Sequence, residues 1–379
     1  MSNIDSILAN FKNTALHPGR MAAKWKEETG RKVVGCLPIH NVEELVHAAG
    51  MLPVGLWGGQ TTITRANEYL PAFACSIMKA VMEFSMTGVY RDLDAVISPS
   101  TCDTMRCIPL MMRLAVPELP VLGLVLPDNR KNESAINYLA AEYKKLAVAL
   151  EEISGQPVTD HGLQQSIEIY NDHRRAMNSF LEAAADHCEV ITPYYRHMVI
   201  KSSFFVPREV HTEWLLELTA ELKKLPQSTW QGQRVVVTGI MAEPYALLKM
   251  FEKFNLAIVG DDLAQGSRQF RTEAPGGTDP YLRLANKFAQ FEGCSCVHDP
   301  YKLRGRIIAD LVEKQQADGV VVLMMKFCDP EEYDYPFVKQ DLDKAGIPSV
   351  YVEIEQQMES MEQIRTRLQA FSEILAARR

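Results

Sequence analysis

No apolar run in the 379-residue chain approaches the roughly 18 residues needed to cross a bilayer as a helix, so a membrane protein is not expected. No block of Lys and Arg occurs and the formal net charge is −8, which argues against nucleic acid and anionic membranes as partners. The first residues, Met1-Ser-Asn-Ile-Asp-Ser-Ile, lack the basic and then apolar profile of a signal peptide, and a cytoplasmic location is the expectation. No Gly-x-x-x-x-Gly-Lys-Ser/Thr is present, which excludes ATP hydrolysis through a P-loop. No Gly-x-Gly-x-x-Gly opens a helix between Gly35 and Gly59, and no Gly-x-Ser-x-Gly elbow exists. Gly58-Gly59 and Gly276-Gly277 read as turns. The nine histidines show no zinc-protease spacing.

What remains is a chain of ordinary composition, 47% apolar and 23% charged, able to build large cores in two or three domains. Strand and helix patterns alternate up to about residue 130. Strands are expected at 31–37, 52–57, 94–98 and 121–125, with helices at 42–49, 73–86 and 103–114, after two short helices divided near His17-Pro18-Gly19. From 131 to 225 only helical spacing is found, carried by Ile136, Leu139, Tyr143, Leu146 and Leu150 and then by Ile167, Tyr170 and Met177, with further helices at 195–204 and 208–224. Strands return at 234–239, 256–260, 319–325 and 349–354, interleaved with helices at 244–253, 281–290, 302–316, 332–345 and 360–376. Alternation of this kind implies parallel sheets with right-handed crossovers. The expected fold is α/β: two Rossmann- or flavodoxin-like lobes, 1–130 and 231–379, with an all-helical segment, 131–230, between them.

Two stretches share one construction. Asp94-Ala-Val-Ile-Ser leads through a turn to Cys102-Asp103. Asp318 leads through the apolar run Gly319–Met325 to Cys328-Asp329-Pro330. Each places a thiol beyond the carboxyl end of a buried strand, where open α/β sheets bind ligands. A helix beginning near Phe73 carries Cys75 in its first turn. Cys75, Cys102 and Cys328 can converge between the lobes. Three thiolates do not close a tetrahedral zinc site, but they suit an iron–sulfur cubane with one iron left to an exogenous ligand. Helix N-termini there would turn N–H groups toward sulfur and favour thiolates. The plainer reading makes these residues small buried hydrophobes, as most cytosolic cysteines are. Among the other cysteines, Cys294-Ser-Cys296 reads as a short strand with both thiols on one face, an incomplete site. Cys107 points elsewhere, Cys188 is incidental, and Cys36 could approach the site without being a ligand. Asp329, Glu331 and Glu332 read as helix N-terminal charges.

Lys32-Val-Val-Gly-Cys-Leu-Pro, Glu43-Glu-Leu-Val-His-Ala-Ala-Gly-Met-Leu-Pro-Val-Gly, Pro71-Ala-Phe-Ala-Cys-Ser, Cys102-Asp-Thr, Asp261-Asp-Leu-Ala-Gln-Gly-Ser-Arg and Met324-Met-Lys-Phe-Cys-Asp-Pro-Glu-Glu-Tyr-Asp-Tyr-Pro together resemble the β subunits of (R)-2-hydroxyacyl-CoA dehydratases. The 2-hydroxyisocaproyl-, phenyllactoyl- and lactoyl-CoA enzymes are the nearer likenesses. The 2-hydroxyglutaryl-CoA enzyme is further off, and benzoyl-CoA reductase subunits share the frame.

The resemblance implies a hydro-lyase built as a heterodimer with an α subunit, each subunit holding a [4Fe–4S] cluster on three cysteines, here Cys75, Cys102 and Cys328. It also implies a separate ATP-dependent iron–sulfur activator that injects one electron. The thioester would become a ketyl radical, expel hydroxide, lose a β-proton and return the electron, giving 2-enoyl-CoA. Substrate would ligate the cluster of the α subunit, leaving this chain's cluster as a relay. The 2-hydroxyglutaryl type has a cysteine where this chain has Leu263, so that position is not counted as a ligand. Three alternatives stand beside this: a benzoyl-CoA reductase-type subunit, a non-catalytic iron–sulfur scaffold, and a metal-free α/β binding module.

Overall fold

The computed structural model describes residues 3–378; Met1, Ser2 and Arg379, at the outer limits of the two expected lobes, lie outside the described residues. Two helices lead, α1 (Asn3–Leu16) and α2 (Pro18–Thr29), the second opened by proline and closed by Gly30 in the left-handed conformation. The first lobe runs β1 (Val33–Cys36), α3 (Glu43–Ala48), β2 (Leu52–Gly55), α4 (Ser76–Met86), β3 (Ala95–Pro99), α5 (Asp103–Ala115) and β4 (Val121–Leu124). Four helices follow: α6 (Glu133–Ser154), α7 (Asp160–Asp186), α8 (Pro193–Ser202) and α9 (Arg208–Leu222). The second lobe runs β5 (Gln233–Gly239), α10 (Tyr245–Lys253), β6 (Leu256–Leu263), α11 (Pro280–Gln290), α12 (Arg304–Lys314), β7 (Gly319–Met325), α13 (Asp329–Lys344), β8 (Ser349–Ile354) and α14 (Glu362–Ala376).

The α/β fold with two parallel sheets expected from the alternation is observed. Both sheets have the same strand order: β2-β1-β3-β4 and β6-β5-β7-β8, all parallel. In each, the chain steps outward from the first strand and then returns to pair on its other side. The switch point therefore lies between β1 and β3, and between β5 and β7, where ligand crevices form. β7, inside its sheet, is buried on both faces, which is why it could be read as an unbroken apolar run.

The repeated aspartates explain themselves structurally. Asp94 Oδ2 accepts the Val33 N–H at 2.8 Å, and Asp318 Oδ2 accepts the Arg234 N–H at 2.7 Å. Each carboxylate ties the start of the third strand to the start of the first. At the other end of β5, Gly239 has φ +141° and an added Cβ would stand 2.1 Å from the Leu323 carbonyl oxygen, so no side chain fits between β5 and β7 there.

Hydrophobic contacts join the parts. Leu139, Tyr143 and Leu146 of α6 bury against Val34 and Leu45 of the first lobe. Phe11 of α1 stands edge-on to His211 and Trp214 of α9. One core cluster runs through both sheets, with Cys75, Cys102, Cys296 and Cys328 as partly buried side chains at its margin.

Several expectations need correction. Cys294-Ser-Cys296 is not a strand; it lies in the irregular connection between α11 and α12, where Gly293 takes φ +65° and Arg271 holds the Glu292 and Gly293 carbonyls instead of a neighbouring strand. β6 does not stop at Gly260 but continues through Asp261 and Asp262, whose charges are neutralised internally. Helix α4 begins at Ser76, not near Phe73, so Cys75 is its N-cap rather than a residue of its first turn. Among the described residues, no helix is long and apolar enough to cross a membrane.

Candidate functional site

Cys75, Cys102 and Cys328 occupy one structural role: each is the N-cap residue of its helix, α4, α5 and α13 respectively. Cys102 and Cys328 follow β3 and β7, the third strands of their sheets, and so stand beside the two switch points. Cys75 reaches them because α4 lies across the junction of the lobes. Ser76 Oγ donates to Met325 Sδ at 3.0 Å and accepts the Gln356 N–H at 3.1 Å, pinning the start of α4 to the carboxyl ends of β7 and β8. Gln356 continues the tie, giving its side-chain N–H to the Trp57 carbonyl at 2.8 Å and accepting the Gly59 N–H at 3.1 Å.

The thiols sense one another electrostatically. Cys102 raises the pKa of Cys75, and both Cys75 and Cys102 raise that of Cys328. The larger cause in all three is burial, which pushes Cys75 up to about 11 and Cys328 well above the ordinary thiol value. No sulfur makes a closed capping hydrogen bond. Peptide N–H groups nonetheless act in the opposite sense: Ile77 and Met78 on Cys75, Thr104 and Met105 on Cys102, Glu331 on Cys328. The helix N-termini act toward thiolate, as expected, and burial is the larger opposing influence. A bound metal would displace the protons of these sulfurs.

Beneath Cys328 lies a buried ionic network. Arg268, 1% exposed, gives Nη2 to Asp262 Oδ2 and Nη1 to Glu331 Oε1, both at 2.9 Å. Arg304 gives Nε to Asp262 at 2.7 Å and Nη2 to Glu331 at 2.7 Å, and it also reaches Asp334. Arg271 completes Asp262 at 2.8 Å. Glu331 is therefore not a solvated helix-end charge but a buried ion-paired group that also accepts from Ser295 Oγ at 2.7 Å. That bond carries the Cys294–Cys296 segment onto the site. Burial would raise Cys294, but the Cys296 thiol, His40 and the Arg268 charge outweigh it and hold it well below its usual value. The same pairing pushes Cys296 up. The segment lies close enough for Cys328 to raise Cys296 further.

Sequence reasoning missed Arg268, Arg304 and the role of Glu331. The available signal was two aspartates at the end of an apolar strand, which demand cations nearby. Of the other cysteines, Cys107 is exposed, Cys36 buried, and Cys188 buried against the Ala185 carbonyl at 3.2 Å. In native metal-free protein at pH 8, iodoacetamide should label Cys107 first. Cys36, whose thiol is raised well above the usual value by burial and then Glu43, should stay unlabelled until unfolding. Peptide mass mapping checks the order, and early labelling of Cys36 would contradict it.

Among the described residues, no three His, Cys, Asp or Glu side chains converge tightly enough for a single metal ion. An iron–sulfur cube takes its thiolates at separate corners, so three half-buried thiols on three helix ends suit it where they would not suit zinc.

The profile described as "2-hydroxyglutaryl-CoA dehydratase, D-component" matches residues 38–375. The chain is 44% identical over 377 residues to the lactoyl-CoA dehydratase subunit beta of Anaerotignum propionicum, covering 99% of this chain and 100% of that one. It is 43% identical over 375 residues to the (R)-phenyllactyl-CoA dehydratase beta subunit of Clostridium sporogenes, with the same coverage. Against the (R)-2-hydroxyglutaryl-CoA dehydratase, subunit beta, of Acidaminococcus fermentans it is 35% identical over 379 residues, covering 98% and 100%. A match of this extent, on a fold that sets three cysteines at three helix ends between two like lobes, shows that the chain belongs to the 2-hydroxyglutaryl-CoA dehydratase D-component family.

Proposed function

We propose that this chain is the β subunit of a 2-hydroxyacyl-CoA dehydratase, a hydro-lyase that forms 2-enoyl-CoA, and that it serves as the one-electron relay of the complex. The observation that carries the reading is the placement of Cys75, Cys102 and Cys328 as N-caps of three helices meeting where the lobes join. These three thiols would hold a [4Fe–4S] cluster, which supplies reversible one-electron transfer when bound. The chain's own residues do the rest. N–H groups at the three helix ends face the sulfurs and stabilise negative charge there. The apolar margin formed by the common core limits the access of water to the half-buried sulfurs. Glu331, fixed by Arg268 and Arg304, sets the local charge beside Cys328. The working complex would include a dehydratase α subunit, which takes most of the substrate, and an ATP-dependent iron–sulfur activator, consistent with the lack of a P-loop here.

The test is anaerobic co-expression with the α subunit, followed by assay with activator, ATP, a reductant and a panel of 2-hydroxyacyl-CoA thioesters. Loss of water without net consumption of reductant is the expected result. Stoichiometric reduction of the thioester would establish the reductase-type alternative instead, and bound iron with no turnover would leave a scaffold.

A further inference from the structure

We infer that the cavity bordered by the segment after β1, the helices α3, α6, α7, α9 and α11, and the connection after β6 is a binding site for a small carboxylate monoanion of about the size of acetate, held between Arg174 and Lys287. The cavity measures about 70 Å³. A cavity of roughly 150 Å³ admits benzene, so this one holds two or three carbons with a carboxylate rather than an aromatic acid.

The charge balance of the walls calls for an anion. Four cations line the cavity, Arg174, Arg208, Lys287 and Arg268, against two carboxylates, Glu43 and Glu44; Arg268 has its counter-charges behind the wall, in Asp262 and Glu331. Glu43 is paired with Arg208. Glu44 Oε1 serves both others, accepting from Arg174 Nη2 and Lys287 Nζ, each at 2.5 Å. One positive charge is therefore left without its own counter-charge in a buried setting, which is costly unless a ligand supplies it. The neighbouring His173–His211 pair, 3.0 Å apart, does not add to the surplus, since burial and then the Arg208 charge hold both imidazoles neutral. Burial and the Arg174 charge also bring Lys287 down to about 8.

Hydrogen-bonding capacity is unspent in the same place. Arg174 is 6% exposed, and its Nε has no partner. The buried His40 Nε2 has none either. Lys287 directs one of its three N–H groups to Glu44. Phe288 and Phe291, with ring centroids 5.2 and 4.8 Å from that of His40, supply a short apolar wall for a methyl group. A dianion would overshoot the single surplus charge and meet Glu43 and Glu44, which selects a carboxylate over phosphate. This inference does not depend on the iron–sulfur reading.

The test is calorimetric titration of the full chain with sodium acetate at constant ionic strength, beside chloride, inorganic phosphate and acetamide. Saturable one-to-one binding of acetate alone is expected, with affinity reduced about tenfold or more in Lys287→Met and largely kept in Lys287→Arg. Non-saturable heats, equal binding of chloride or acetamide, tighter binding of phosphate, or acetate binding unchanged in Lys287→Met would each overturn the assignment. If Lys287→Met does not fold, the wild-type melting midpoint decides. It should rise with acetate concentration and not with acetamide or phosphate, and the absence of that difference would refute the site.

Discussion

Replacing any one of Cys75, Cys102 and Cys328 by serine should strip the protein of iron and abolish dehydration. Wild-type chain reconstituted anaerobically should bind about four irons and about four sulfides. Each serine variant should lose the brown chromophore. Its activity in the assembled complex should fall by more than the roughly 10–100-fold expected when a residue merely supports a ligand. The physical reason is that a serine hydroxyl is hard and stays protonated, while iron in a sulfide cube selects soft thiolate. Serine is nearly isosteric, and none of the three sulfurs makes a capping bond whose loss would unravel a helix, so circular dichroism should not change. Cys107→Ser is the control: the side chain is exposed, five positions beyond Cys102 and so on another face of the helix, and iron content should match wild type. Retention of about four irons by any of the three variants would remove that residue from the ligand set, and retention by all three would end the relay proposal.

How far the residues announced this arrangement differs from element to element. Strand β7 was legible because burial on both faces erases the alternation that a one-sided strand shows, leaving seven consecutive apolar residues. The duplicated Asp–strand–Cys–Asp pattern was legible too, and its meaning proved general: Asp94 and Asp318 tie third strand to first in each sheet, and Cys102 and Cys328 follow at equivalent helix starts. Cys75 was harder, because nothing local to Pro71-Ala-Phe-Ala-Cys-Ser says that α4 crosses to the other lobe. That is decided by Ser76 and Gln356, 280 positions apart. The Cys294–Cys296 segment misled for a similar reason. Alternation suggested a strand, but strand identity needs a partner, and the backbone there is held by the Arg271 guanidinium instead. Charge partners such as Arg268 and Glu331 are set by tertiary proximity alone, and periodicity carries no trace of them.

Arg268→Met should be among the most destabilising single substitutions in the chain, by roughly 3–5 kcal/mol at neutral pH. It would leave Asp262 and Glu331 to Arg304 and Arg271, in a place where water does not reach: Asp262 is 1% and Glu331 2% exposed. A lowered urea midpoint at unchanged slope is the measurement. Lys339→Met, which removes an exposed partner of Asp343, should cost less than about 1 kcal/mol under the same conditions. The pH dependence follows from the carboxylates. Burial alone would raise Asp262, but the charges of Arg268, Arg304 and Arg271 outweigh it and hold the carboxyl far below the usual range, and Arg304 and Arg268 do the same for Glu331. A depressed folded-state pKa contributes stability that is present above the unfolded value of about 4 and is lost as pH falls toward the folded one. The deficit of the variant should therefore be full at pH 5 and above and narrow steadily below about pH 4. A deficit under about 1 kcal/mol at pH 7 would mean that Arg304 and Arg271 suffice for Asp262 and that Arg304 with Ser295 suffices for Glu331, so the ground beneath Cys328 would not depend on Arg268.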